Sequence, residues 1–351
     1  MDYKIQAMLL RGINYDVGTP FRKDELSRPD FDEFIIRIEI EIIKNELKCN
    51  TIRISGHDIQ RLSKASEFAL EEGLQVWFSP AYPDATQQEA IDYLTDCAIA
   101  AERLREKYDD VVFIVGCEYS LFLKGFVKGN TLYDRMEKMF SPLALILNMV
   151  GLKNNIYRKL NLFLKNATEK IKFHFKGKLT YASGTWEKVD WSLFDIVGID
   201  HYRASYNKSF YTKQLTGYNK FNKPVAVLEF GCCAYKGAED KGPTGWAITA
   251  MVNGRRVIKG NYLRDETIQA RYITDLLDIL TQEKIFAAFV FTFINPMYKY
   301  NNDSDLDLDM ASYGIVKPVD EAAYKELPWI PKEAFYRLAD YYGKLSKIST
   351  H

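Results

Sequence analysis

Histidine and cysteine are scarce in this chain, with four of the first and five of the second. The cysteines are Cys49, Cys97, Cys117, Cys232 and Cys233. They form no C-x-x-C pair, and no histidine cluster accompanies them, which argues against a zinc site. An odd count argues against a disulfide framework and fits a reducing compartment. Cys232-Cys233 is read as two thiols rather than a strained vicinal disulfide. Long apolar runs are also missing. The most apolar stretch, residues 142–150, is too short to span a bilayer and contains Asn148. The start, Met1-Asp-Tyr-Lys-Ile, lacks a basic region followed by an apolar core, so no signal peptide is read there. Net charge is absent as well, with 47 basic and 47 acidic residues. That balance argues against a general binder of nucleic acid or anionic membrane. A cytoplasmic protein with neither partner is the expectation.

The chain does have apolar and aromatic residues in quantity, 47% and 14%. Most of the rings must fill a core, although Tyr and Trp are also the side chains on which amphipathic ligands stack. Pro224-Val-Ala-Val-Leu-Glu229-Phe-Gly231 is a short apolar run that ends in one glutamate and a glycine turn. Such a run reads as a strand buried on both faces of a parallel sheet. Seven more short apolar runs lie near 6–10, 50–55, 74–78, 111–115, 178–182, 195–202 and 286–291. Helix-period segments separate most of them, at 30–47, 58–72, 85–108, 154–175 and 265–282, and another closes the chain at 331–346. Residues 190–194 read as a short helical connection. Strands alternating with helices give a parallel sheet, and eight such units in 351 residues give an α/β fold of the (β/α)8 TIM-barrel type. No low-complexity linker divides the chain, so one barrel domain over 1–351 is expected, with insertions at about 119–151 and 231–261. The stretch 154–175 is basic and amphipathic, and is read as an outer helix of the barrel rather than a membrane-surface element.

In a barrel, chemistry sits at the C-terminal ends of the strands. Two of the runs end in glutamates there, Gly116-Cys117-Glu118 and Leu228-Glu229. Strands four and seven face each other across the mouth. Retaining glycoside hydrolysis needs such a pair, one acid to protonate the leaving oxygen and one carboxylate to attack the anomeric carbon. Their acidities must be pushed apart. Arg53 on strand two and Tyr202 on strand six are candidates to keep Glu229 ionised.

These residues resemble the clan A glycoside hydrolases, in particular the cellulase and mannanase type of family 5. The resemblance lies in Gly12-Ile-Asn14-Tyr15, Asn50-Thr-Ile-Arg53, Gly116-Cys117-Glu118, Gly198-Ile-Asp200-His201-Tyr202 and Leu228-Glu229-Phe-Gly231, in family order over nearly the whole barrel. It implies Glu118 as acid/base, Glu229 as nucleophile, Arg53 and Tyr202 as partners of the nucleophile, and a carbohydrate substrate without cofactor or metal. Two positions depart from the family. Cys117 stands where an Asn usually binds the sugar 2-hydroxyl, and a thiol is a poor hydrogen-bond partner. Phe291-Thr-Phe293 stands where strand eight usually ends in a Trp platform, leaving Phe293 as the candidate stacking ring. The stretches 229–237, 264–270 and 307–314 also resemble uncharacterised bacterial proteins, some labelled abortive phage infection proteins. A non-catalytic barrel that binds a glycan or a partner, with phage defence as one such role, is therefore the competing expectation.

Asn14, His57, Cys117, Trp186, Asp200 and Phe293 are the expected substrate contacts. Among the other strand-end or loop tryptophans are Trp77 and Trp246. If Tyr202 faces Glu229, Asp200 shares its side of the strand and His201 packs outward. Ser55, His57 and Asp58 lack the G-x-S-x-G turn of a hydrolase triad. Asp303, Asp305, Asp307 and Asp309 lack the glycine and closing glutamate of a calcium loop. A solvated or capping loop is the reading there, ahead of a cation or sugar-hydroxyl site.

Overall fold

The computed structural model describes residues 10–22, 25–139 and 154–348. Eight strands form one closed parallel barrel: β1 Leu10–Asp16, β2 Thr51–Gly56, β3 Gln75–Pro80, β4 Val111–Cys117, β5 Lys178–Gly184, β6 Val197–Asp200, β7 Val225–Phe230 and β8 Ala287–Val290. Each strand pairs with its sequence neighbours, and β8 closes on β1. The outer helices are α1 Glu33–Asn45, α2 Ile59–Glu71, α3 Gln87–Tyr108, α4 Asn154–His174, α5 Glu266–Gln282 and α6 Glu333–Ile348. Between β5 and β6 a single 3-10 turn, Trp191–Leu193, replaces the outer helix. After β6 a two-turn helix, Tyr211–Thr216, stands in for one.

Strand alternation sorts the core into two layers. Val112 and Ile114, Ala226 and Leu228, and Trp77 with Phe289 fill the barrel interior. Val111, Phe113, Val115, Val225 and Val227 face outward against the helices. Trp77 is thus an interior plug, its ring 4.9 Å from that of Phe289, and not a mouth aromatic. Helix starts are capped by side chains. Asp32 and Asp58 each accept two backbone N–H groups, and Thr86 with Glu89 forms a capping box.

The first strand corrects the sequence reading. The apolar run near 6–10 reads as the first strand, but the strand lies further on, at Leu10–Asp16, and carries Arg11, Asn14 and Asp16. The polar residues are affordable because the barrel supplies partners, such as the Leu228 carbonyl that accepts from Asn14 Nδ2 at 2.8 Å.

Long connections crowd the C-terminal end of the barrel. A hairpin, Pro20–Arg22 with Glu25–Leu26, follows β1. Short helices Tyr119–Phe122 and Leu132–Met139 follow β4. A 3-10 segment, Gly242–Ile248, and a hairpin, Thr249–Val252 with Arg255–Ile258, follow β7. The apolar tract 142–150 and the rest of 140–153 lie outside the described residues. The connections touch one another in pairs. Phe21 meets Phe122 edge-on at 6.2 Å, Tyr133 meets Trp246 at 6.3 Å, and Arg256 donates to Glu25 at 2.7 Å.

The acidic loop after β8 divides in two. Asp303 and Asp305 are exposed, whereas Asp307 and Asp309 are buried. Arg264 binds both buried carboxylates, and Lys332, itself fully buried, reaches both oxygens of Asp309 at 3.1 Å. These two aspartates thus hold an internal ion cluster and not an external cation.

Candidate active site

Two irregularities in the strand ladders shape the site. The β6–β7 register skips a residue, pairing Ile199 with Val227 and then Asp200 with Glu229. The inward positions Ala226 and Leu228 are therefore followed directly by Glu229, turned into the mouth out of step. The skip also turns the Leu228 carbonyl inward, where Asn14 and Arg53 both donate to it. The β4–β5 register shifts in the same way between Ile114 and Cys117. Bulges of this kind re-aim single side chains. Gly116 makes the second one possible. Its φ of +151° suits glycine, and any Cβ there would lie 1.9 Å from the Tyr119 ring.

Glu229 is held at both oxygens. Arg53 Nη1 donates to Oε1 at 2.9 Å and the Tyr202 hydroxyl donates to Oε2 at 3.0 Å. Arg53 is itself fixed by Ser79 Oγ at 3.2 Å and by the Leu228 carbonyl at 3.3 Å. Burial pushes the Tyr202 phenol well above its usual range, so it stays a neutral donor. The Tyr202 ring packs edge-on against Phe291 and Tyr313.

Glu118 differs in every respect. Its backbone is left-handed, with φ 44° and ψ 45°, and its side chain caps nothing. The carboxyl makes no hydrogen bond or ion pair with any described residue. It is half-buried, and its pKa is pushed well above the usual carboxylate range. Burial is the main cause, followed by the negative charges of Asp200, Glu229 and Glu187, with Arg53 opposing them. One carboxylate is thus clamped by a cation and a phenol, while the other is left free to hold a proton.

Beneath them lies Asp200, which is nearly inaccessible. Cys117 Sγ donates to Asp200 Oδ2 at 3.5 Å and stands 3.9 Å from Glu229 Oε1. Asp200 Oδ1 has no hydrogen bond, and its nearest cation is Arg53 at 3.8 Å. Burial first and Glu229 second raise the Asp200 carboxyl well above the ordinary range. The Cys117 thiol is pushed up by burial and by the same acids. The sulfur and oxygen atoms of Cys117, Asp200 and Glu229 lie within 4.8 Å of one another. Arg53 is the cation beside the two carboxylates, 2.9 Å from Glu229 Oε1 and 3.8 Å from Asp200 Oδ1.

The other expected contacts fare differently. Asn14 is buried below the site and spends its amide on the barrel carbonyls of Leu228, Phe289 and Val290. His57 packs in a cluster with the rings of Tyr82 and Tyr93, with Nδ1 3.1 Å from the Ala81 carbonyl, away from the hydrogen bonds that hold Glu229. Phe293 cannot stack on a ligand. It is fully buried between Tyr15 and Trp329, because the chain turns after β8. Phe291, half-buried beside Tyr202, is the ring that faces the site. Trp186 is half-exposed after β5 and donates to Ser120 Oγ at 3.2 Å, two residues beyond Glu118. His201 packs outward, stacked on Tyr211 at 4.1 Å. Sequence reasoning missed Ser79, Tyr181 and Glu187. Glu187 lies in an ordinary-looking Thr-Trp-Glu-Lys loop, and nothing in the pattern marks it.

Comparison with solved structures now adds to this geometry. The chain superimposes on a GH113 β-mannanase from Alicyclobacillus acidocaldarius with TM-score 0.60 and 12% identity, covering 97% of this chain and 99% of that one. It superimposes on β-glucuronidase 2 of Bacteroides uniformis with TM-score 0.53 and 15% identity, covering 88% of this chain but 33% of that one. A β-glucuronidase from Ruminococcus gnavus gives 0.54 and 12%, covering 95% and 49%. At such identities the likeness establishes the barrel fold. No family model and no curated protein matches the chain. No helix among the described residues is long and apolar enough to cross a membrane.

Proposed function

We propose that the protein is a retaining β-glycoside hydrolase or transglycosidase of the clan A type. Glu229 is the nucleophile and Glu118 the acid/base. The observation that carries this is the opposed treatment of the two carboxyls, with Glu229 bound at both oxygens and Glu118 unbound and held protonated by its surroundings. Retention requires that division of labour.

In the first step Glu118 gives its proton to the leaving oxygen as a Glu229 oxygen forms a bond to the anomeric carbon. Arg53 and Tyr202 keep Glu229 ionised and aimed until attack. In the second step Glu118, now a carboxylate, takes a proton from water, which displaces Glu229. Phe291 and Trp186 supply the aromatic walls. Cys117 lies where a hydroxyl at the sugar's 2-position would come, and offers it less than an amide would. The mannanases and glucuronidases of the same barrel support a carbohydrate substrate. The three contacts among the mouth loops support a short one, a small glycoside or oligosaccharide.

The test is Glu229→Ala, assayed on aryl β-glycosides of several sugars. Turnover should fall by a factor on the order of 10⁴ or more while the thermal midpoint stays within a few degrees. Unchanged turnover in a folded variant would remove the assignment and leave a barrel that binds without cleaving.

A further inference from the structure

The chain turns through a left-handed backbone at Glu118, and a left-handed glutamate needs neighbours that over-determine it. Its own N–H donates to the Ala182 carbonyl at 2.8 Å, and its carbonyl accepts from Leu121 and Phe122. The next two peptide N–H groups lead elsewhere. Ser120 N donates to Glu187 Oε1 at 3.0 Å. Tyr119 N donates to the Tyr181 hydroxyl at 2.6 Å, and that hydroxyl donates onward to Glu187 Oε2 at 2.9 Å. Glu187 and Tyr181 are both buried. A buried carboxylate that pairs with no cation among the described residues is costly, and here Ser120 and Tyr181, two of the residues that bond to it, serve the turn behind Glu118, with the Ser183 side chain as a further partner.

We propose that Glu187 is the positioning residue for Glu118: directly and through Tyr181 it anchors both peptide groups that follow Glu118, and so fixes where that acid points. The proposal rests on the glycosidase reading for its catalytic consequence. Glu187 also acts by charge. Burial raises its own carboxyl to about 6, so it is mostly ionised at neutral pH. It then faces Glu118 alongside Asp200 and Glu229, against Arg53, and helps keep the proton on Glu118. The phenols of Tyr157, Tyr181 and Tyr218 are the other titratable groups near Glu187, and all three are pushed up and neutral.

Two variants separate position from charge. Glu187→Gln keeps the shape and an acceptor for Ser120 but removes the charge. The Glu118 carboxyl, followed by carbon NMR with labelled glutamate and assigned by Glu118→Gln, should titrate about one pH unit lower. The basic limb of kcat on an aryl β-glycoside should move down with it. Tyr181→Phe removes the bridge to Tyr119 but keeps the charge. It should lower kcat about tenfold at unchanged KM and leave that limb in place. A wild type that cleaves no glycoside would remove the proposed function alone, since the Glu118 titration is read without turnover. An unchanged Glu118 midpoint in Glu187→Gln would overturn the charge effect, and wild-type kcat in an active Tyr181→Phe protein would overturn the positioning role.

Discussion

At the scale of single residues, the site is a problem of too many acids for one cation. Glu118, Asp200 and Glu229 share Arg53, with Glu187 close behind. The surplus is absorbed by protonation, which is why Glu118 and Asp200 are pushed up. Cys117 belongs to the same economy. Its thiol is pressed by burial and by Asp200, Glu229 and Glu118, so it is un-ionised at neutral pH despite the nearby guanidinium. Since the thiolate is the nucleophile, iodoacetamide should alkylate Cys117 more slowly at pH 7 than it does a free thiol, by at least about tenfold. Peptide mass mapping of timed samples checks this. Rapid loss of the Cys117 thiol at pH 7 would mean that the acids are not shielding it. At this scale much was legible. Glu118, Tyr202 and Glu229 could be picked out as polar residues at the ends of apolar runs, and Arg53 as the charged residue within one. Phe291 could not be told from Phe293, because which ring faces the site depends on how the chain turns after β8.

At the scale of elements, strand irregularities do what regular alternation could not. The skips near Cys117 and Leu228 set Glu229 and Cys117 inward after inward-facing neighbours. A period-two pattern gives no sign of them, and the polar β1 was misread for a related reason, since barrel partners override local polarity. On β6 the alternation continues past the strand. Asp200 and Tyr202 serve the site, while His201 goes outward and lies fully buried on Tyr211. Neither imidazole nitrogen makes a well-formed hydrogen bond with a described residue, and burial, opposed only by the nearby Gln214 side chain, lowers its pKa to about 4. The unfolded chain binds this proton near the ordinary histidine value of 6.5, the folded chain only near 4. The unfolded state therefore holds more protons between those values, and stability falls as pH drops through that window, then levels below it. The His201 share of the loss is on the order of 3 kcal/mol. Urea unfolding at pH 7 and pH 4.5 should show a smaller pH-dependent drop in His201→Phe than in the wild type. An equal drop would mean that His201 is not the group responsible.

At the scale of the whole molecule, the barrel provides a rigid ring of strand ends and the connections provide the walls. Eight apolar runs separated by helix-period segments were enough to read the barrel from the sequence. The contacts among the connections after β1, β4 and β7 were not, because Glu25 and Arg256 are far apart in sequence and each lies in a polar loop. Nor was the ion cluster of Arg264, Asp307, Asp309 and Lys332, which looked like solvated charge until burial was known. These features serve one central claim, that Glu229 attacks a sugar carbon. The measurement that tests it most directly is covalent trapping. The full chain would be incubated with 2,4-dinitrophenyl 2-deoxy-2-fluoro-β-glycosides of glucose, mannose and galactose, and its intact mass and peptides recorded. One fluorosugar bound per chain, located on Glu229 and absent from Glu229→Ala, is the predicted result. A sugar bound elsewhere, or cleavage of the parent glycosides with inversion and no adduct, would contradict it.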